Sequence, residues 1–329
     1  MTTKPAAKKF RYVLKWIGWA ILVQFLLLNI SAAFHAHKFS HFYDDPSLVN
    51  KKPSQNIFRK TWRLFAGQKY GKLPIHQAPV FKCDTIILKT KNGLAIESWF
   101  IPADSAAKGT IILFHGLTMN KEILLPEAND FHYQGYHVML VDFRAHGNSE
   151  GNTTTVGLRE AEEVKLAYDY IAAKGEKNIF CWGTSMGAVA IIKALSDYQL
   201  KPAGVILEMP FGSMQEHVKA RARTIGFGGF PEKPFGLLVT FWMGVERGFN
   251  GFKFQTAKFA KDISCPVLLQ WGRNDNLVLP KETNRIFDAI PSSKKKLVVY
   301  ENSDHESFLF REPQKWRSET EQFLSSNTR

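Results

Sequence analysis

The chain has 329 residues, 45% hydrophobic and 13% aromatic, enough apolar material for a large core in one α/β domain or two smaller ones. Its net charge of +13 is uneven: residues 1–72 hold 13 Lys/Arg against 2 Asp/Glu, whereas residues 73–329 hold 30 against 28. With a nearly neutral globular part and no basic stripe or nucleic-acid motif, a nucleic-acid partner is excluded. Three scattered cysteines (Cys83, Cys181 and Cys265) exclude a disulfide framework and read as buried free thiols.

The positive charge surrounds an apolar segment. Lys4, Lys8, Lys9, Arg11 and Lys15 precede residues 16–34, which carry no charge. As a helix that run is about 29 Å long, close to the thickness of a bilayer core. Trp16 and Trp19 stand at its amino-terminal end, where indole rings favour the membrane interface. Residues 1–36 are therefore expected to form a cytoplasmic tail and transmembrane signal anchor, with the following domain on the extracytoplasmic side. Cleavage near Ser31-Ala32-Ala33 and secretion is the alternative. Residues 37–80 read as a basic stem, whose Lys51, Lys52, Arg59, Lys60 and Arg63 suit anionic headgroups. His35, His37 and His41 read as solvated residues beside the membrane.

From residue 81 to 329 strands and helices alternate. Strand-length apolar runs fall at 85–90, 95–101, 110–116, 137–142, 178–183, 203–210, 266–272 and 296–300. Helical patterns lie between the later ones, most clearly over 156–175, with Gly175 as the stop signal. This order predicts a mostly parallel eight-stranded sheet with helices on both faces. The first two runs are separated only by Lys91-Asn92-Gly93, which predicts an antiparallel hairpin. Residues 211–262 break the rhythm with ten Phe or Trp and eight Gly and no convincing strand. They are expected to form a helical lid over an apolar pocket.

The chemistry centres on Gly183-Thr184-Ser185-Met186-Gly187, where a strand turns abruptly into a helix. A side chain at either flanking glycine would collide with its neighbours, and the helix N-terminus favours negative charge at Ser185. A serine hydroxyl needs a base. Only His217 and His305 follow it; His305 comes just after the last strand, at the carboxyl edge of the sheet, and is the expected base. Asp275 is the expected acid partner, with Glu208 as its rival. The backbone amides of Leu117 and Met186 are the expected oxyanion donors. His115 is read as orienting its loop, and Asp142 with Arg144 as a loop salt bridge.

Taken in order, FHGLT, DFRAHGNSEG, GTSMG, GRNDNLV and SDHES resemble the α/β-hydrolase superfamily, specifically its BEM46-like and serine-aminopeptidase-like (S33-type) branch. Ala145 departs from the glycine common in the second motif. The resemblance implies an α/β-hydrolase fold and a Ser185, Asp275, His305 triad that cleaves an ester, thioester or amide through an acyl-enzyme. The elbow is similar to that of monoacylglycerol lipases, which points to a small acyl or lipid-like substrate. A peptidase, an acyltransferase and a non-catalytic binding protein are the alternatives. No G-x-G-x-x-G, Walker or CxxC motif occurs, so no cofactor and no metal are expected.

Overall fold

A computed structural model describes residues 4–49, 56–225 and 232–328. A 36-residue helix, α1 (Lys4–Phe39), opens the chain. Next come β1 (Phe42–Tyr43), α2 (Ile57–Ala66) and β2 (Tyr70–Gly71). The sheet begins with β3 (Asp84–Lys89), β4 (Ala95–Ile101) and β5 (Thr110–Phe114). It continues through α3 (Leu125–Tyr133), β6 (His137–Val141), α4 (Ala161–Ala173), β7 (Ile179–Thr184), α5 (Met186–Tyr198) and β8 (Gly204–Glu208). Three helices follow: α6 (Met214–Ile225), α7 (Glu232–Arg247) and the short α8 (Thr256–Phe259). The chain closes with β9 (Val267–Gly272), α9 (Pro280–Ala289), β10 (Lys295–Tyr300), α10 (Phe308–Arg311) and α11 (Pro313–Asn327).

Eight strands form one sheet in the order β10-β9-β8-β7-β5-β6-β4-β3. The hairpin across Lys91-Asn92-Gly93 makes β3 and β4 antiparallel, β4 is antiparallel to β6, and every other pairing in this sheet is parallel. Every residue of β5, β8 and β9 is buried, as expected of strands covered on both faces. Successive side chains serve opposite layers: Ile112 and Phe114 join a core with α4, α5 and α7, whereas Ile111 and Leu113 join one with α3 and α11.

The stem has definite structure where it is described. Phe42 and Tyr43 pair with Tyr70 and Gly71, and the Phe42 amide donates to Asn152 O at 2.7 Å. Of the histidines read as solvated, His37 is exposed as expected, whereas His35 and His41 are partly covered. The His35 ring nitrogen Nε2 lies 3.0 Å from Leu64 O, and His37 Nδ1 lies 3.2 Å from Glu246 on α7. The cause is that the last third of α1 packs on α7, burying Ala32 and Ala36.

That packing also corrects the expected role of the aromatic stretch. Residues 211–262 do form helices, but several of their rings pack away from the catalytic edge and others, Phe241 and Phe252, stay exposed. Phe235 packs edge-on against His35, Trp242 Nε1 donates to Asn29 Oδ1, and Phe211 and Phe254 pack together in the core. Phe227 and Phe230 lie outside the described residues. Cys181 and Cys265 are buried free thiols, and Cys83, expected to be buried, is only partly covered.

Candidate active site

Four loops at the carboxyl ends of parallel strands converge on one cavity of about 240 Å³. Ser185 follows β7, the loop with Gly116 and Leu117 follows β5, Asp275 follows β9 and His305 follows β10. This is the edge at which a doubly wound sheet leaves loop ends free to meet.

Ser185 is held in strained backbone, φ 51° and ψ −111°, a region that a residue with a Cβ seldom enters. Its amide donates to Glu208 O at 2.8 Å, and its carbonyl accepts from the Val189 amide at 3.1 Å. The glycines around it are required by contact. A Cβ on Gly187 would sit 2.2 Å from Phe114 O, and one on Gly183 would sit 2.7 Å from the Gly187 carbonyl carbon. Helix α5 thus lies directly on the backbone of β5, with the hydroxyl lifted at its N-terminus.

The three expected side chains meet. Ser185 Oγ lies 3.0 Å from His305 Nε2, and His305 Nδ1 lies 2.8 Å from Asp275 Oδ2. Asp275 is buried, and its other oxygen accepts from the amides of Leu277 at 2.7 Å and Val278 at 2.8 Å. Both carboxylate oxygens are therefore occupied, which fixes the plane presented to the imidazole. An Nδ1–H toward Asp275 leaves Nε2 with a lone pair aimed at the serine hydroxyl. Such an arrangement can accept the Ser185 proton as the oxygen attacks an electrophilic carbonyl.

The loop after β5 lies against the serine: a Cβ on Gly116 would be 3.6 Å from Ser185 Cβ. Leu117 lines the cavity, and Met186 is the first residue of α5, where amides have no carbonyl one turn back to pair with. His115 is fully buried. Its Nε2 accepts from the Phe143 amide at 3.1 Å, and its Nδ1 donates to Gly116 O at 2.7 Å. Burial pushes its pKa down to about 4, so it stays neutral and holds the loop.

The other histidine, His217, is buried on α6 between Phe39 and Phe211, and burial, then nearby Arg221, holds it well below the usual imidazole range. Glu208, the rival acid, lines the same cavity but is bonded elsewhere than to His305. Its Oε1 accepts from Trp182 Nε1 at 3.1 Å and Trp316 Nε1 at 2.7 Å. Burial pushes its carboxyl up to about 8, against the pull of the indole donors.

Two features escaped the sequence. Glu127 joins Glu208 on the cavity wall and accepts from Ser307 Oγ at 2.5 Å, and burial raises its pKa. Nothing in Leu125-Pro126-Glu127 signals this, because the partner is 180 residues away. Asp142 and Arg144 also do not pair with each other. Asp142 pairs with the buried Lys121, whereas Arg144 reaches Glu163 at 2.5 Å and Glu162 at 2.8 Å. Directly after Arg144, Ala145 takes φ 64°, a left-handed position that explains why glycine suits it. Of the described residues of the 211–262 stretch, Arg221 is the one that lines this cavity.

Comparison with known proteins follows the same outline. A family model described as serine aminopeptidase, S33, matches residues 105–231 and 251–314, more than half of the chain. The chain is 28% identical over 170 residues to lysophosphatidylserine lipase ABHD12 of Danio rerio, covering 49% of this chain and 41% of that protein. It therefore spans less than half of that relative's length. It is 25% identical over 243 residues to the uncharacterized protein YqkD of Bacillus subtilis, covering 73% of this chain and 78% of that one. Among solved structures, the Pyrococcus furiosus esterase Pf2001 superposes with a TM-score of 0.66 at 25% identity, over 78% of this chain and 97% of that one.

Proposed function

Because the chain belongs to the serine aminopeptidase S33 family of α/β-hydrolases, we propose that it is a membrane-anchored serine hydrolase acting on acyl esters of lipid-like alcohols. The observation that carries this reading is the unbroken hydrogen-bond path from Ser185 through His305 to Asp275. Ser185 Oγ attacks the substrate carbonyl while its proton passes to His305 Nε2. Asp275 stabilises the imidazolium, and the amides of Leu117 and Met186 receive the developing oxyanion. Collapse of the tetrahedral species breaks the bond to the leaving alcohol, which takes the proton from His305. Water, deprotonated by the same imidazole, then releases the carboxylic acid and restores Ser185.

Three observations favour an ester of lipid character. A relative bears the name lysophosphatidylserine lipase, and a structural neighbour is an esterase. The cavity wall next to Ser185 is also largely apolar, with Leu117, Met119, Ile123, Leu124 and Leu277.

The anchor is α1. Within Lys9–Phe39 it is long enough, and over its charge-free residues 16–34 apolar enough, to cross a bilayer, and large apolar side chains from Phe10 to Ile30 are exposed. The Lys/Arg before the run favour an amino terminus in the cytoplasm and a catalytic domain outside, although the basic cluster from Lys51 to Arg63 pulls against that orientation. Ser31 and Ala32 are buried against the domain, which favours an uncleaved anchor over a cleaved signal.

The purified full chain in detergent should react with a fluorophosphonate probe. It should also hydrolyse p-nitrophenyl esters, with a preference for longer acyl chains over aminoacyl anilides. Intact protein that stays unlabelled would end the hydrolase reading, and a preference for anilides would favour a peptidase.

A further inference from the structure

Three helices meet at the end of the apolar run of α1, and the two that pack on α1 also leave apolar side chains uncovered. The first is α2, IFRKTWRLFA. Its carboxyl end is tied to α1 at successive turns: Phe65 O accepts from Ser31 Oγ at 2.5 Å, Leu64 O lies 3.0 Å from the His35 ring, and Gly67 O accepts from Lys38 Nζ at 3.2 Å. Its other residues project outward. Phe58 and Trp62, one turn apart, are 81% and 59% exposed, and Ile57 beside them is exposed too. Arg59, Lys60 and Arg63 occupy the remaining directions. The helix is thus apolar on one side and basic on the other; the edge of its apolar side touches α1, where the Trp62 ring lies 6.3 Å from that of Phe34, and the rest of that side stays exposed.

The second is α7, which carries two stripes at four-residue spacing. Phe235, Val239 and Met243 are buried, whereas Leu237, Phe241 and Val245 are exposed at 42%, 48% and 56%. The helix meets α1 at Asn29, His35 and His37. The contacts of α2 fall on Ser31, His35 and Lys38. Both uncovered faces therefore lie level with the point where the charge-free run of residues 16–34 ends. In a bilayer crossed by that run, this level is the headgroup boundary, where indole rings and amphipathic helices partition and where basic side chains meet lipid phosphates.

We propose that α2, through Ile57, Phe58 and Trp62, and α7, through Leu237, Phe241 and Val245, dock in the anionic lipid interface of the leaflet at which α1 emerges. The proposal rests on the reading of α1 as a membrane anchor. The catalytic domain then sits on the bilayer as a rigid body, not at the end of a loose tether. One helix separates the docked surface from the site. The Phe39 ring at the end of α1 lies 5.5 Å from His217 on α6, and Arg221 of the same helix lines the cavity beside Ser185. The cavity is thereby held next to the headgroup layer, where an amphiphile can reach it with a short excursion from the membrane.

The test uses the full chain, with Cys83→Ser, reconstituted one copy per nanodisc in phosphatidylcholine with or without phosphatidylglycerol. Nitroxide labels are placed singly by Leu22→Cys, Phe58→Cys, Phe241→Cys and Tyr133→Cys; Tyr133, on α3 and 78% exposed, is the aqueous reference. The labels at 58 and 241 should collide preferentially with oxygen, as at 22, and show several-fold lower collision with a nickel chelate than at 133. Replacing Arg59, Lys60 and Arg63 with Gln should raise nickel access at 58 several-fold in the phosphatidylglycerol discs. Labels at 58 and 241 that are as nickel-accessible as 133, with 22 in lipid, overturn the docking and leave the anchor intact. A water-exposed label at 22 overturns the anchor reading itself. Protection at 58 and 241 only in detergent, together with spin–spin broadening between copies, would assign the faces to self-association and also overturn the proposal.

Discussion

His305 and Asp275, thirty residues apart in sequence, are joined by a 2.8 Å contact between Nδ1 and Oδ2, while the opposite ring nitrogen faces Ser185 Oγ. The two loops come together because β9 and β10 are parallel neighbours in register, Trp271 beside Val299 and Gly272 beside Tyr300. Each strand delivers its following loop to the same edge.

Ser185→Ala removes the only hydroxyl that this imidazole faces among the described residues. Hydrolysis should fall by about a millionfold and fluorophosphonate labelling should vanish, with an unchanged circular-dichroism spectrum. Retained labelling would show that another nucleophile carries the reaction.

Asp275→Asn keeps the shape of the side chain but leaves an amide facing Nδ1, which favours the wrong tautomer. The expected loss is about ten-thousandfold in kcat with little change in stability. Glu208→Gln should leave kcat within about one order of magnitude on the same criterion, because Glu208 bonds to Trp182 and Trp316 and not to the imidazole.

Glu208 should instead govern a pH dependence of folding. Its carboxyl rises from 4.5 to about 8 on burial, so between these values the folded chain holds a proton that the unfolded chain has lost. Stability from this group is complete below pH 4.5 and is lost as pH rises through about 8. Thermal melts from acid to alkaline pH should show the wild type losing stability relative to Glu208→Gln across that window, by an amount on the order of a few kcal/mol. Parallel curves for the two proteins would refute the assignment.

Gly187→Ala places a methyl group 2.2 Å from Phe114 O, within the backbone contact that seats α5 on β5. The helix must shift, at a cost of about 1–3 kcal/mol or more, and the Ser185 hydroxyl moves with it. Lower melting temperature and lower kcat should therefore appear together.

Lys121→Met strands the buried Asp142, whose remaining partners include the Lys121 and Asn148 amides. An uncompensated buried carboxylate costs roughly 3–5 kcal/mol, measurable as a drop in the denaturant midpoint. Arg144→Met should leave Asp142 paired, and a double variant with Lys121→Met should be close to additive.

Much of this architecture was legible because its causes are local. Continuous apolar runs marked the strands buried on both faces, and the turn at Lys91-Asn92-Gly93 announced the antiparallel start. Close approach at Gly183 and Gly187 explains the elbow, since only a residue without Cβ fits there. The histidine facing Ser185 was reachable by elimination, because so few follow the serine in the chain.

What the chain order left open was decided by long-range packing. Lys121 and not Arg144 neutralises Asp142, because the loop after β5 folds over the end of β6. Glu208 is claimed by an indole from the last helix, 108 residues away. Phe235 and Trp242 of the 211–262 stretch turn to α1, Phe211 and Phe254 to the core, and His35 and His37 near the end of α1 find partners on α2 and α7. Periodicity and turn chemistry report which face of an element must be buried. They do not report which distant element will bury it, and that choice is made only when crossovers of many residues close.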